Sequence, residues 1–139
     1  MSQIVTSAEE METAGATLIK NINAPSVIYL RGDLGAGKTT FVRGALHAIG
    51  YTGLVKSPTF TLVESYSIPP LEIHHFDLYR VSDPEELDYI GIREYCSPST
   101  LCFIEWPDLG LSHIPKPDLE IDIEYIAAGR KVTMTKNQS

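Results

Sequence analysis

The eight residues Gly32-Asp33-Leu34-Gly35-Ala36-Gly37-Lys38-Thr39 satisfy the pattern G-x-x-x-x-G-K-[ST] and follow directly on the apolar run Val27-Ile28-Tyr29-Leu30. That pattern is a P-loop, and it makes nucleotide phosphate the first ligand to consider. Small residues let the backbone curl until successive N–H groups point at the phosphates, and the loop then opens a helix whose N-terminus is electropositive. Lys38 is placed to reach β- and γ-phosphates, and the Thr39 hydroxyl to hold Mg2+. The flanks support this over a plain glycine turn. Val42, Ala45, Leu46 and Ile49 recur at helical spacing through Thr39 to Ile49, and Gly50 falls where a left-handed helix end is expected.

At 139 residues the chain is expected to form one domain, 1–139, too short to add a separate substrate domain. Its target is then small or brought by a partner. The opening Met1-Ser2-Gln3-Ile4-Val5-Thr6 carries no basic segment leading into a long apolar stretch, and no run approaches membrane-spanning length, so a cytoplasmic protein is expected. Cys96 and Cys102 have no C-x-x-C pairing and no histidine cluster, which argues against a disulfide scaffold and a zinc site. Cys102, inside an apolar run, reads as a small core residue. A net charge of −7 disfavours autonomous, electrostatically driven binding to RNA or DNA.

The order of elements predicts a three-layer α/β, P-loop NTPase-like domain with a mixed parallel and antiparallel central sheet. Gln3 to Val5 reads as a short strand. Thr6 or Ser7 then starts a helix through a capping box with Glu9 or Glu10, and Met11, Ala14, Leu18, Ile19 and Ile22 form its buried stripe. After the P-loop helix, Phe60 to Tyr66 and Leu71 to Phe76 read as an antiparallel strand pair turned at Ile68-Pro69-Pro70. Asp83-Pro84-Glu85-Glu86 supplies an N-cap, a first-turn proline and an acid for a helix through Leu87 and Ile90. Leu101-Cys102-Phe103-Ile104 has the continuous apolar character of a buried parallel strand. Leu119 to Tyr125 and Val132 to Met134 alternate across Ala127-Ala128-Gly129 as a hairpin with one buried face.

A P-loop site needs a second acid at the carboxyl end of a neighbouring strand. Glu105 ends Leu101-Cys102-Phe103-Ile104 in the manner of a Walker B strand, and Asp77 ends the Leu71 to Phe76 strand. A cap for Glu105 and an Asx-turn for Asp77 are the structural alternatives. Thr59, between the P-loop helix and the next strand, stands where nucleotide switches place a hydroxyl that senses γ-phosphate and metal, or it is a turn residue after Pro58. His74 and His75 are adjacent in a strand and face opposite sides, so they cannot share a metal, and a hydrogen-bonded structural role is the default for His75. Trp106 is either packing or an aromatic gating the site.

Together, Gly32 to Thr40, Ser57-Pro58-Thr59-Phe60, His75-Phe76-Asp77-Leu78-Tyr79-Arg80 and Ile104-Glu105-Trp106 resemble the bacterial TsaE (YjeE) family of small P-loop ATPases, over nearly the whole chain. The resemblance implies an ATPase required for threonylcarbamoyladenosine modification of tRNA. Such a protein acts on a TsaB–TsaD complex, in which TsaD performs the transfer, and meets tRNA indirectly through that complex. It implies ATP and Mg2+ as cofactors, with Lys38 and the backbone of Gly35, Ala36, Gly37, Thr39 and Thr40 on phosphates. Thr39 and Glu105 would hold Mg2+, Asp77 would assist metal or water positioning, and Thr59 would act as a switch. Trp106 would lie at the mouth, with Thr6, Ser7 and Arg130 contacting the rest of the nucleotide.

Other P-loop functions compete. A small-molecule kinase shares the loop but needs an arginine-bearing lid, and the five arginines here, Arg31, Arg43, Arg80, Arg93 and Arg130, are scattered. A GTPase would carry an Asn-Lys-x-Asp motif, which the sequence lacks. A nucleotide-gated binding module without chemistry would look the same in sequence as a slow ATPase.

Overall fold

The hydrophobic runs of the sequence become a seven-stranded mixed sheet in the computed structural model, which describes residues 1–22, 26–97 and 99–137. In chain order the elements are β1 (Ser2–Val5), α1 (Ala8–Lys20), β2 (Ser26–Arg31), α2 (Lys38–Ala48), β3 (Val63–Ile68), β4 (Leu71–Asp77), α3 (Glu85–Ile90), α4 (Ile92–Tyr95), β5 (Thr100–Glu105), β6 (Leu119–Ile126) and β7 (Gly129–Lys136). Two 3-10 turns, Pro107–Leu109 and Leu111–His113, follow β5. The strand order is β1-β7-β6-β2-β5-β4-β3. β2 runs parallel to β5 and β6, and β4 parallel to β5, while the three outer pairings are antiparallel. The sheet is thus parallel where the P-loop leaves it and antiparallel toward both edges, as the sequence predicts.

Burial explains the patterns. All six residues of β5 are buried, because helices cover both faces of this central strand. One layer packs Met11, Leu18, Phe41 and Leu46 of α1 and α2 on Ile28, Leu30, Phe103 and Ile121. The other packs Leu87, Ile92 and Ile114 on Tyr29, Phe76, Cys102 and Ile104. Cys102 is a core residue, and its Sγ lies 2.7 Å from that of Cys96 with both thiols free. The helices α1 and α2 touch through glycine: a Cβ on Gly15 would stand 2.0 Å from the Phe41 carbonyl, and one on Gly44 2.0 Å from that of Glu12.

Local signals set the boundaries. Ser7 is the N-cap of α1, its hydroxyl accepting from the Glu10 N–H, while Glu10 Oε1 accepts from the Thr6 N–H. Asp83 Oδ1 accepts from the Glu85 N–H and Glu86 reaches back to the Asp83 N–H, with Pro84 already at helical φ and ψ. The expected strand from Phe60 is corrected: β3 begins at Val63, because Leu62 adopts φ of +72° and donates its N–H to the Pro58 carbonyl, closing a turn over Thr59 to Thr61. No helix among the described residues is long and apolar enough to cross a membrane.

Candidate functional site

β2 ends at Arg31 and α2 begins at Lys38, so the P-loop spans the gap at the carboxyl edge of the parallel strands. Gly35 and Gly37 adopt φ of +79° and +115°, which side chains with a Cβ rarely tolerate. A Cβ on Gly37 would also stand 2.9 Å from the Met11 side chain. The last hairpin braces the loop. The Tyr125 hydroxyl donates to the Leu34 carbonyl at 2.9 Å, and Arg130 Nε donates to the Ala36 carbonyl at 3.3 Å, while the guanidinium lies 4.0 Å from the Tyr125 ring centroid. The family resemblance points to Arg130 but not to Tyr125, whose place in an alternating strand gives no sign that it reaches back to the loop.

A cavity of about 230 Å3 opens beside the loop. Thr6, Ser7 and Met11 come to it from the start of α1, Gly35, Ala36 and Gly37 from the loop, Thr40 from α2 and Arg130 from β7. Residues far apart in sequence meet here because β1 pairs with β7, Val5 opposite Arg130, and because α1 lies against α2.

Below the loop the two acids stand side by side. Asp77 is the register partner of Glu105 across β4 and β5, and both are buried, as is Lys38. Lys38 Nζ donates to the Gly32 carbonyl at 2.5 Å and lies 3.7 Å from Glu105 Oε1. Burial pushes its pKa below the usual lysine value, against the opposing pull of the Glu105 and Asp77 carboxylates. Asp77 serves two partners: Oδ2 accepts from the Thr59 hydroxyl at 3.0 Å, and Oδ1 accepts from the Tyr79 N–H at 2.9 Å. Its Asx-turn and its contact with Thr59 therefore coexist. Thr39 follows Lys38 in the first turn of α2 and is half-buried.

Trp106 follows Glu105 with φ of +56°, an unusual conformation for a bulky residue that turns the chain sharply off the end of β5. Its ring centre lies 4.3 Å from Lys38 Nζ and 5.0 Å from that of Tyr79, and its buried Nε1 has no hydrogen-bond partner among the described residues. His75 is fully buried and hydrogen-bonded through Nε2 to Glu105 Oε2. His74 faces the other side of the strand, with Nδ1 2.7 Å from the Ser65 hydroxyl. The oxygens offered at this end of the sheet are hydroxyls and carboxylates, a hard donor set that fits Mg2+. Among the described residues no group of three or more His, Cys, Asp or Glu is placed to hold a metal by itself.

Comparison with known proteins follows the same lines. The model of the family described as threonylcarbamoyl adenosine biosynthesis protein TsaE matches residues 5–132. The tRNA threonylcarbamoyladenosine biosynthesis protein TsaE of Haemophilus influenzae is 50% identical over 108 residues, which cover 78% of this chain and 68% of that protein. Its namesake from Rickettsia bellii is 31% identical over 136 residues, 97% of this chain and 94% of the relative. The crystal structure of Bacillus subtilis YdiB superposes with a TM-score of 0.79 at 28% identity, covering 98% of this chain and 84% of the other.

Proposed function

The chain belongs to the TsaE family, and from that premise we propose that it is an ATP-binding and ATP-hydrolysing subunit required for tRNA threonylcarbamoyladenosine biosynthesis. In this reading it acts on a TsaB–TsaD complex and supports turnover without transferring the group itself. The observation that carries the ATPase reading is the pairing of Glu105 with Asp77 at the ends of adjacent parallel strands, directly beneath Lys38 of the P-loop.

The backbone of Gly35 to Thr40 receives the phosphates, and Lys38 leaves the Gly32 carbonyl and the Trp106 face to meet them. Thr39 and Glu105 are the residues that would hold Mg2+, which when bound neutralises charge on the β- and γ-phosphate oxygens. Asp77 and the Thr59 hydroxyl it holds orient the attacking water. The cavity at Thr6, Ser7 and Arg130 takes the rest of the nucleotide. A net charge of −7 leaves the grip on tRNA to the partners.

The test is ATP hydrolysis by the purified protein with and without candidate TsaB and TsaD subunits. Slow turnover alone and clear stimulation in the complex are expected; no association in the presence of ATP counts heavily against the assignment. Glu105→Ala separates enzyme from nucleotide-gated module. Lost hydrolysis with binding partly retained is expected, and unchanged turnover sinks the enzymatic reading.

A further inference from the structure

We propose that His75 is the positioning residue for Glu105, deciding which carboxylate oxygen faces the phosphate-binding loop; this rests on reading Glu105 as a working acid of that loop. His75 lies on β4 two residues before Asp77, so the two side chains share a face, and its own register partner on β5 is Phe103. The imidazole therefore reaches diagonally up the sheet toward Glu105. Its ring stands edge-on to Phe103, with centroids 6.3 Å apart and planes inclined at 72°, and no part of it is exposed.

The two ring nitrogens have unequal surroundings. Nε2 lies 2.5 Å from Glu105 Oε2, whereas Nδ1 is buried without a partner among the described residues. A proton on Nδ1 would be stranded with no acceptor, so the ring proton belongs on Nε2, which donates to the carboxylate. The imidazole thus engages the carboxylate through Nε2.

The consequence falls on Glu105. Its Oε2 is tied to His75, and its Oε1 points toward Lys38 at 3.7 Å, too long for a direct hydrogen bond. Both charged side chains are nearly solvent-free, where attraction between opposite charges is strong. Without His75 the carboxylate is free to close onto the ammonium, so that Lys38 is withheld from phosphate and Glu105 loses the orientation a metal or water requires. His75 thus keeps the carboxylate and the ammonium of the same site apart.

Three measurements on the full chain test this: the ring tautomer of His75 by 15N NMR, ATP affinity with and without Mg2+, and single-turnover hydrolysis, each with thermal unfolding as a control on the fold. The unsubstituted protein should show the Nε2–H tautomer. His75→Phe should lose the Mg2+-dependent gain in ATP affinity and about ten-fold or more of the hydrolysis rate, the usual range for residues that orient a metal ligand. His75→Gln, whose amide N–H can reach the same oxygen, should recover most of both. An Nδ1–H tautomer, a His75→Phe protein equal to wild type, or a His75→Gln protein as impaired as His75→Phe would each overturn the proposal. A wild-type protein that binds ATP but never hydrolyses it, even with partners, would overturn the ATPase reading instead, leaving the Mg2+ gain and the tautomer to decide the role of His75.

Discussion

The Lys38 ammonium rests 4.3 Å from the centre of the Trp106 ring, so the P-loop lysine and the residue after Glu105 cover one another. A cation over an indole face contributes about 0.5–2 kcal/mol, depending on how far it is desolvated. Phosphate competes directly for that cation. Trp106 is the one tryptophan of the chain, so its emission reports the surroundings of this ring, Lys38 and Tyr79 among them. Titration with ATP should shift or quench the emission saturably, and Lys38→Met should change the starting spectrum and abolish the response. A flat titration under conditions where calorimetry detects ATP binding would show that Lys38 does not leave the ring.

Thr59 and Asp77 make a second pair with a separable effect. The Thr59 hydroxyl donates to Asp77 Oδ2, while Oδ1 keeps its bond to the Tyr79 N–H whatever stands at position 59. Thr59→Val removes the bond to the buried Asp77 and the 2.8 Å contact with the Ser57 hydroxyl, and should cost about 1–3 kcal/mol of stability. Hydrolysis should fall at least about ten-fold with ATP affinity little changed, as for an interaction made only in the transition state. Thr59→Ser should restore the rate. Equal losses in affinity and turnover would instead make Thr59 a ground-state contact.

The site was legible to the extent that it depends on strand ends. Glu105 and Asp77 could be picked out because parallel strands bring their carboxyl ends to the P-loop edge, and each acid ends a strand, Glu105 after a continuous apolar run. The braces were not. Tyr125 reaches the Leu34 carbonyl, and His75 reaches Glu105, only through pairings between distant strands, which local pattern does not encode. Phe60 misled for a related reason. Its β-forming side chain suggested a strand, yet the positive φ of Leu62 turns the backbone, and Phe60 lies exposed with the Arg80 guanidinium 4.2 Å from its ring centre. Tertiary contacts there outweigh propensity.

Gly15 and Gly44 set a sign that propensity alone gets wrong. Replacing a glycine inside a helix by alanine ordinarily gains about 1 kcal/mol. Here each added methyl would stand 2.0 Å from a backbone carbonyl oxygen of the opposite helix, which cannot rotate away. Overpacking of this kind costs about 1–3 kcal/mol and sometimes more, so the net effect should be destabilising. Urea unfolding should place both Gly15→Ala and Gly44→Ala at lower midpoints than the parent. ATP affinity should fall as well, because separating the helices shifts Thr6 and Ser7 relative to the loop. An unchanged or higher midpoint would mean that the helices slide apart without cost.

Arg31, at the last position of β2, gives the fold a pH dependence that can be assigned to one side chain. Its Nε and Nη2 grip both oxygens of Asp108 at 2.8 and 3.1 Å, and its Nη1 donates to Glu120. Hydrogen bonding from Arg31 holds both carboxyls below their usual pKa values, with Asn137 adding to the effect on Glu120. Depressed carboxylates contribute stability that is present above their unfolded pKa values, about 3.9 for Asp and 4.3 for Glu, and lost as pH falls through the folded ones. Asp108 is well exposed, so solvent screening keeps its share small. Arg31→Met should therefore be less stable than the parent at pH 7, by a gap that narrows as pH drops below about 4 and shrinks with added salt. Chemical unfolding at a series of pH values measures that gap directly. A gap that stayed constant into acid would assign the role of Arg31 to packing of its aliphatic stem against the sheet rather than to charge.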